Sequence, residues 1–162
     1  MRWTGGICGI GRYRPKQVRK VGFYMKVNVV WNGEKRFTGT GEAGHTVHMD
    51  SQGAGTKPTE LLLMALAGCS GIDVAMILTK MRRNIESLNI EVDADRRETD
   101  PKAFTAYRVT FRIVGDATPQ QVERAARLSF ETYCSVSNSL KGPITFAYEL
   151  NGTRYPETGY LE

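Results

Sequence analysis

The sequence predicts an α+β domain in which mixed or antiparallel sheet packs on a long central helix. Three observations carry that prediction. Several stretches alternate apolar and polar residues with a period of two, the mark of a half-buried strand. A run from about Pro58 to Arg83 is apolar nearly all round, which suits a central core helix. A second helix starts at Thr118-Pro119, and neighbouring strands are joined by tight turns rather than by strict strand–helix alternation.

Each element follows from local chemistry. Met25–Trp31 sets Val27, Val29 and Trp31 against Lys26 and Asn28, and Asn32-Gly33 turns the chain back into Arg36–Gly41. His45–Met49 reads as a third strand, followed by the flexible loop Asp50–Lys57. Pro58 suits the first turn of the long helix. Ile85–Arg97 alternates around Ile85, Leu88, Ile90 and Val92. Asp100-Pro101-Lys102 then turns it into Ala103–Val114, with Tyr107, Val109, Phe111 and Ile113 on one face. Thr118 is the N-cap and Pro119 the first residue of an amphipathic helix carrying Val122, Ala125, Ala126 and Leu128. A short helix over Ser135–Leu140 and a last strand over Ile144–Leu150 complete the order β-β-β-α-β-β-α-α-β.

At 162 residues and 41% hydrophobic, the chain can bury the core of one domain. Its net charge of +5 is uneven: six basic side chains and no acid lie in residues 1–24, leaving 16 basic against 17 acidic elsewhere. With no basic stripe on the body, nucleic acid is not an expected partner. Residues 1–24 lack periodicity and any apolar stretch long enough for a secretion signal. They read as a basic leader: a disordered tail, a targeting segment, or upstream sequence ahead of a start at Met25. The domain is expected over 25–152 and a C-terminal tail over 153–162. Asp73, Gly68 and Gly71 inside the run Glu60–Leu78 argue for a core helix over a membrane span. Three cysteines, one of them in the leader, make no disulfide scaffold, so a cytoplasmic location is expected.

Two cysteines stand in settings suited to chemistry. Cys69 shares a helix face with Leu62, Ala65, Leu66, Ile72, Asp73 and Met76, and Gly68 and Gly71 beside it admit either close packing or a substrate. Cys134 precedes a short helix whose free amides and dipole would lower a thiol's pKa; the bland alternative is that it only fills space.

Pro58-Thr59-Glu60-Leu61-Leu62-Leu63-Met64-Ala65-Leu66-Ala67-Gly68-Cys69 closely resembles the first cysteine motif of the OsmC/Ohr family, the osmotically inducible and organic hydroperoxide resistance proteins. Tyr133-Cys134-Ser135-Val136, before a final strand, resembles the second, and the element order agrees from Met25 through Leu150. The resemblance implies an intertwined homodimer with sites at the subunit interface. It also implies that Cys69 attacks an organic hydroperoxide to become a sulfenic acid. Cys134 then closes a disulfide with it, which a dithiol reductant reopens.

The chain departs from the hydroperoxide resistance branch, which has glutamate directly after the motif proline; here that position is Thr59. Glu60, nine residues before Cys69, lies on the opposite side of the helix and is expected to serve the helix N-terminus. Arg36 is the candidate for an arginine beside the thiolate, and Asp73 would oppose thiolate formation if close and charged. These features place the resemblance in the OsmC-like branch. His45 and His48 point to opposite faces of a strand and make no metal pair. No spacing here meets a zinc or iron pattern, and no cofactor is expected. Two readings result: a cofactor-independent thiol peroxidase with an apolar pocket built from residues such as Leu62, Leu66, Met76 and their neighbours in the partner subunit, or a non-enzymatic dimer that binds a small apolar ligand or senses redox state.

Overall fold

The structure, a computed structural model, describes residues 24–160. The basic leader expected over 1–24 lies outside the described residues, save Tyr24. Eleven segments follow one another. Strands β1 (Asn28–Trp31), β2 (Arg36–Thr40) and β3 (Thr46–Asp50) precede helix α1 (Pro58–Lys80). Strands β4 (Ile85–Arg96) and β5 (Phe104–Gly115) precede helix α2 (Pro119–Leu128), a π-helical turn at Ser129–Tyr133 and a 3₁₀ turn at Ser137–Ser139. Strands β6 (Ile144–Leu150) and β7 (Thr153–Tyr160) end the described chain.

The N-terminal strands form an antiparallel meander in the order β1-β2-β3. Gly33 takes φ of +95° in the Asn32-Gly33 turn, a conformation that favours glycine, and the Arg36 amide donates to the Gly33 carbonyl at 3.0 Å. Pairing starts at Asn28, opposite Thr40, three residues later than the alternation from Met25 suggests. Period-two hydrophobicity reports a face, whereas a strand also needs a partner.

Helix α1 opens with Pro58 at its first position, and the Glu60 carboxylate accepts the Lys57 amide at 2.9 Å. Glu60 therefore caps the helix, as its position opposite Cys69 predicts. The helix stops at Lys80 because Arg82 turns left-handed (φ +58°), letting the Arg83 amide donate to the Leu78 carbonyl at 3.0 Å.

The second sheet has the order β4-β5-β6-β7 and is mixed: β5 and β6 run parallel, the other pairs antiparallel. Its inner face presents Tyr107, Val109, Phe111 and Ile113, all buried, as the alternation predicts. Leu66, Val74 and Leu78 of α1 and Val122, Ala125 and Ala126 of α2 close over that face. Phe111, Phe130 and Phe146 meet with ring centroids 5.7–6.5 Å apart. Gly71 lets β4 approach α1, since a Cβ there would run into Ile90 Cδ1. The outer face is polar, with Arg108 paired to Asp95 and Arg112 to Glu91 across the strands.

Residues 153–160, expected to trail from the domain as a tail, instead form β7, hydrogen-bonded along β6 from Leu150–Thr153 to Ile144–Tyr160. The Tyr155 ring stacks on Tyr148 at 4.8 Å. Asn151 and Gly152, both with positive φ, make the reversal. The interrupted pattern Thr-Arg-Tyr-Pro-Glu-Thr-Gly hides a strand that, among the described residues, pairs on one side only, where proline is tolerated.

Candidate functional site

Cys69 and Asp73 are four residues apart on α1, so they share one face a turn apart. The other half of the site comes from the chain after α2. There the helix widens into a π turn, in which the Cys134 amide donates to the Ser129 carbonyl at 2.8 Å. The Ser129 hydroxyl donates to Asp73 Oδ2 at 2.9 Å, tying that turn to α1. The result is that Cys69 Sγ, Cys134 Sγ and a carboxylate oxygen of Asp73 all lie within 4.8 Å of one another. Both cysteines are free thiols.

Cys134 is held from several directions. Its carbonyl accepts from Ser137 Oγ and from Asn138 Nδ2, each at 2.9 Å. Its sulfur accepts the Ser137 amide at 3.4 Å. The thiol is fully buried, with 0% of its surface exposed, whereas Cys69 is half-buried. Burial pushes the Cys134 thiol above the ordinary cysteine value, contacts with Ser137 pull the other way, and Cys69, as hydrogen-bond partner and as a charge, pushes it further up. The dipole-lowered thiol expected here is thus corrected. The short helix shrinks to the three residues Ser137–Ser139, and one amide does not offset desolvation.

A family described as OsmC-like protein matches residues 50–149, a span that contains both cysteines of the pair. The chain belongs to the OsmC-like family. Protein YhfA of Escherichia coli strain K12 is 37% identical over 131 residues, covering 78% of this chain and 98% of YhfA. A crystal structure of a hypothetical protein from Aquifex aeolicus VF5 superposes with a TM-score of 0.75 at 28% identity, covering 80% of this chain and 98% of that one. The organic hydroperoxide resistance protein OhrB of Bacillus subtilis gives a TM-score of 0.54 at 20% identity, covering 80% and 98%. That last likeness shows the shared fold alone.

Beside the cysteine pair, this OsmC-like chain has an open cavity of about 270 Å³ lined by Asp73, Met76, Ile77, Lys80, Met81, Leu128 and Tyr133. Asp73 joins it to the sulfurs. Of the apolar lining expected from the sequence, only Met76 is there; Leu66 is fully buried in the core and Leu62 lies outside the lining. Arg36 belongs to the other sheet, where its guanidinium lies 3.5 Å from Glu34 rather than at a sulfur. His45 and His48 are exposed, and His48 Nδ1 lies 3.2 Å from the Thr38 hydroxyl. Ser129 carries no sequence signal as a site residue, because its partner carboxylate is 56 residues away and brought near only by folding, while Ser137 and Asn138 bond a local backbone carbonyl that no side-chain pattern reports. The spacing of Cys69 and Asp73, one helical turn, is the one available hint of a carboxylate at the thiols.

Proposed function

We propose that this chain is a cysteine-based thiol peroxidase that reduces organic hydroperoxides. In this reading the Cys69 thiolate attacks the outer peroxide oxygen. The O–O bond breaks, Cys69 becomes a sulfenic acid, and the departing alkoxide takes a proton to leave as an alcohol. The Cys134 thiol then attacks the sulfenic sulfur, and water is released as the Cys69–Cys134 disulfide closes. A dithiol returns both residues to thiols by exchange.

One observation carries the reading: two sulfurs within 4.8 Å, one half-buried beside a cavity and the other fully buried. A buried thiol that resists ionisation does not compete for peroxide yet stands within a side-chain rotation of the sulfenic acid. The cavity walls of Met76, Ile77, Met81 and Leu128 suit a bulky apolar substituent better than hydrogen peroxide.

The working form is a homodimer acting in a reducing cytoplasm, with no cofactor. Supporting the dimer, α1 has Met64, Ile72 and Met76 more than half exposed, as is Trp31 on the small sheet, while the outer face of the large sheet is ion-paired. The placement of Arg36 at Glu34 favours the alternative of a non-enzymatic dimer that binds an apolar ligand or senses redox state.

One experiment separates them. Cys69→Ser abolishes reduction of cumene hydroperoxide. Cys134→Ser reacts once and leaves a sulfenic acid that dimedone traps, with dithiol-driven turnover lost. If neither variant differs from the parent chain and no sulfenic acid or internal disulfide forms, the binding or sensing reading replaces the peroxidase.

A further inference from the structure

We propose that Cys69, Cys134 and Asp73 together form a binding site for a soft divalent cation of the zinc type, occupied when the cysteines are reduced. Two thiols and a carboxylate converge with all three donor atoms within 4.8 Å of one another. Sulfur and carboxylate oxygen ligands stand about 2.3 and 2.0–2.2 Å from zinc, which puts tetrahedral neighbours under about 4 Å apart. Small side-chain rotations bring the three donors to that spacing.

The surroundings fit a metal site on independent grounds. The Ser129 hydroxyl holds Asp73 Oδ2 and so orients the carboxylate while leaving its other oxygen to ligate. The Ser137 amide points at Cys134 Sγ from 3.4 Å, a contact that favours sulfur carrying negative charge. Three acidic groups gathered in a partly buried place repel one another as they lose protons, and a divalent cation reverses that repulsion. The three protein donors leave a fourth position for water or a small ligand, on the side where Asp73 opens to the cavity. Binding expels the thiol protons, so affinity rises with pH. A sulfur bonded to the ion is not free to enter a disulfide, so metal and disulfide exclude each other.

The test uses the reduced full chain titrated with Zn²⁺ against a chromophoric chelator, with Co²⁺ as a spectroscopic substitute. The double variant Cys69→Ser/Cys134→Ser, which keeps Cys8, His45 and His48, measures binding elsewhere. The expected result is one zinc per chain above that background and a thiolate–cobalt charge-transfer band. Either single cysteine variant weakens binding at least tenfold, and Asp73→Asn weakens it several-fold. Zinc also protects the half-buried Cys69 thiol from a maleimide, and the variants' circular dichroism matches the parent's. Zinc uptake equal to that of the double variant, or none, overturns the site; an Asp73→Asn affinity equal to the parent's overturns the three-donor assignment. Because the readout is metal uptake, it stands or falls apart from peroxidase activity.

Discussion

Ser129 and Asp73 are 56 residues apart in sequence, yet the hydroxyl of one donates to the carboxylate of the other at 2.9 Å. This bond joins the turn that ends in Cys134 to the helix face that carries Cys69. It acts on the distance between two thiols without touching either.

Ser129→Ala removes that tie and leaves a part-buried carboxylate oxygen short of a donor. A hydrogen bond to a charged group is worth about 1.5–3 kcal/mol, and urea unfolding of the reduced protein is expected to show a loss of that order. Peroxide-driven closure of the Cys69–Cys134 disulfide, followed by thiol counting, should slow. Unchanged stability together with an unchanged closure rate would assign the bond no role.

The buried thiol makes a prediction about pH. The folded chain holds the Cys134 proton more tightly than the unfolded chain does. Its contribution is fully present below the ordinary cysteine range of about 8.5 and is lost as pH rises from there through the raised folded value. Stability should therefore fall more steeply above about pH 9 in the parent chain than in Cys134→Ser. Parallel profiles would show that Cys134 ionises alike in both states.

The exposed side of α1 tests the proposed dimer. Ile72 is 62% exposed, so Ile72→Glu costs an isolated chain little, whereas a charge there is expected to split a dimer. Light scattering should return twice the 18.1 kDa chain mass for the parent and the single mass for the variant. A parent that scatters as one chain at micromolar concentration would refute the dimer.

Strand β7 predicts that the domain does not end at Gly152. Truncation there strips β6 of its outer partner and Tyr148 of the stacked Tyr155 ring. Such a pair contributes about 0.5–1.5 kcal/mol beyond its burial, and a clear drop in melting temperature is expected. An unchanged melting curve would return these residues to the role of a tail.

Much of the architecture is legible in local pattern. Tyr107, Val109, Phe111 and Ile113 are buried on one face of β5 because side chains alternate along any strand. Pro58 and Thr118-Pro119 mark both helix starts, since a first-turn proline lacks only an amide that would be unpaired anyway. Elements without such a signature escaped. The proline and glycine of β7 obscure a strand that exists because β6 offers it an edge. The π turn after α2 arises from one shifted backbone bond, which no side-chain period reports.

For the site, the sequence alone singled out the candidate residues, Cys69 and Cys134, because thiols are rare and their neighbouring motifs are distinctive. Only the tertiary structure decided how they differ and what joins them. Cys134 became the buried, proton-holding thiol rather than a helix-start thiolate, Arg36 went to Glu34, and Asp73 met Ser129 beside both sulfurs. The physical reason is that residue identity is local, whereas desolvation and charge proximity depend on groups far apart in the chain, which only packing brings together.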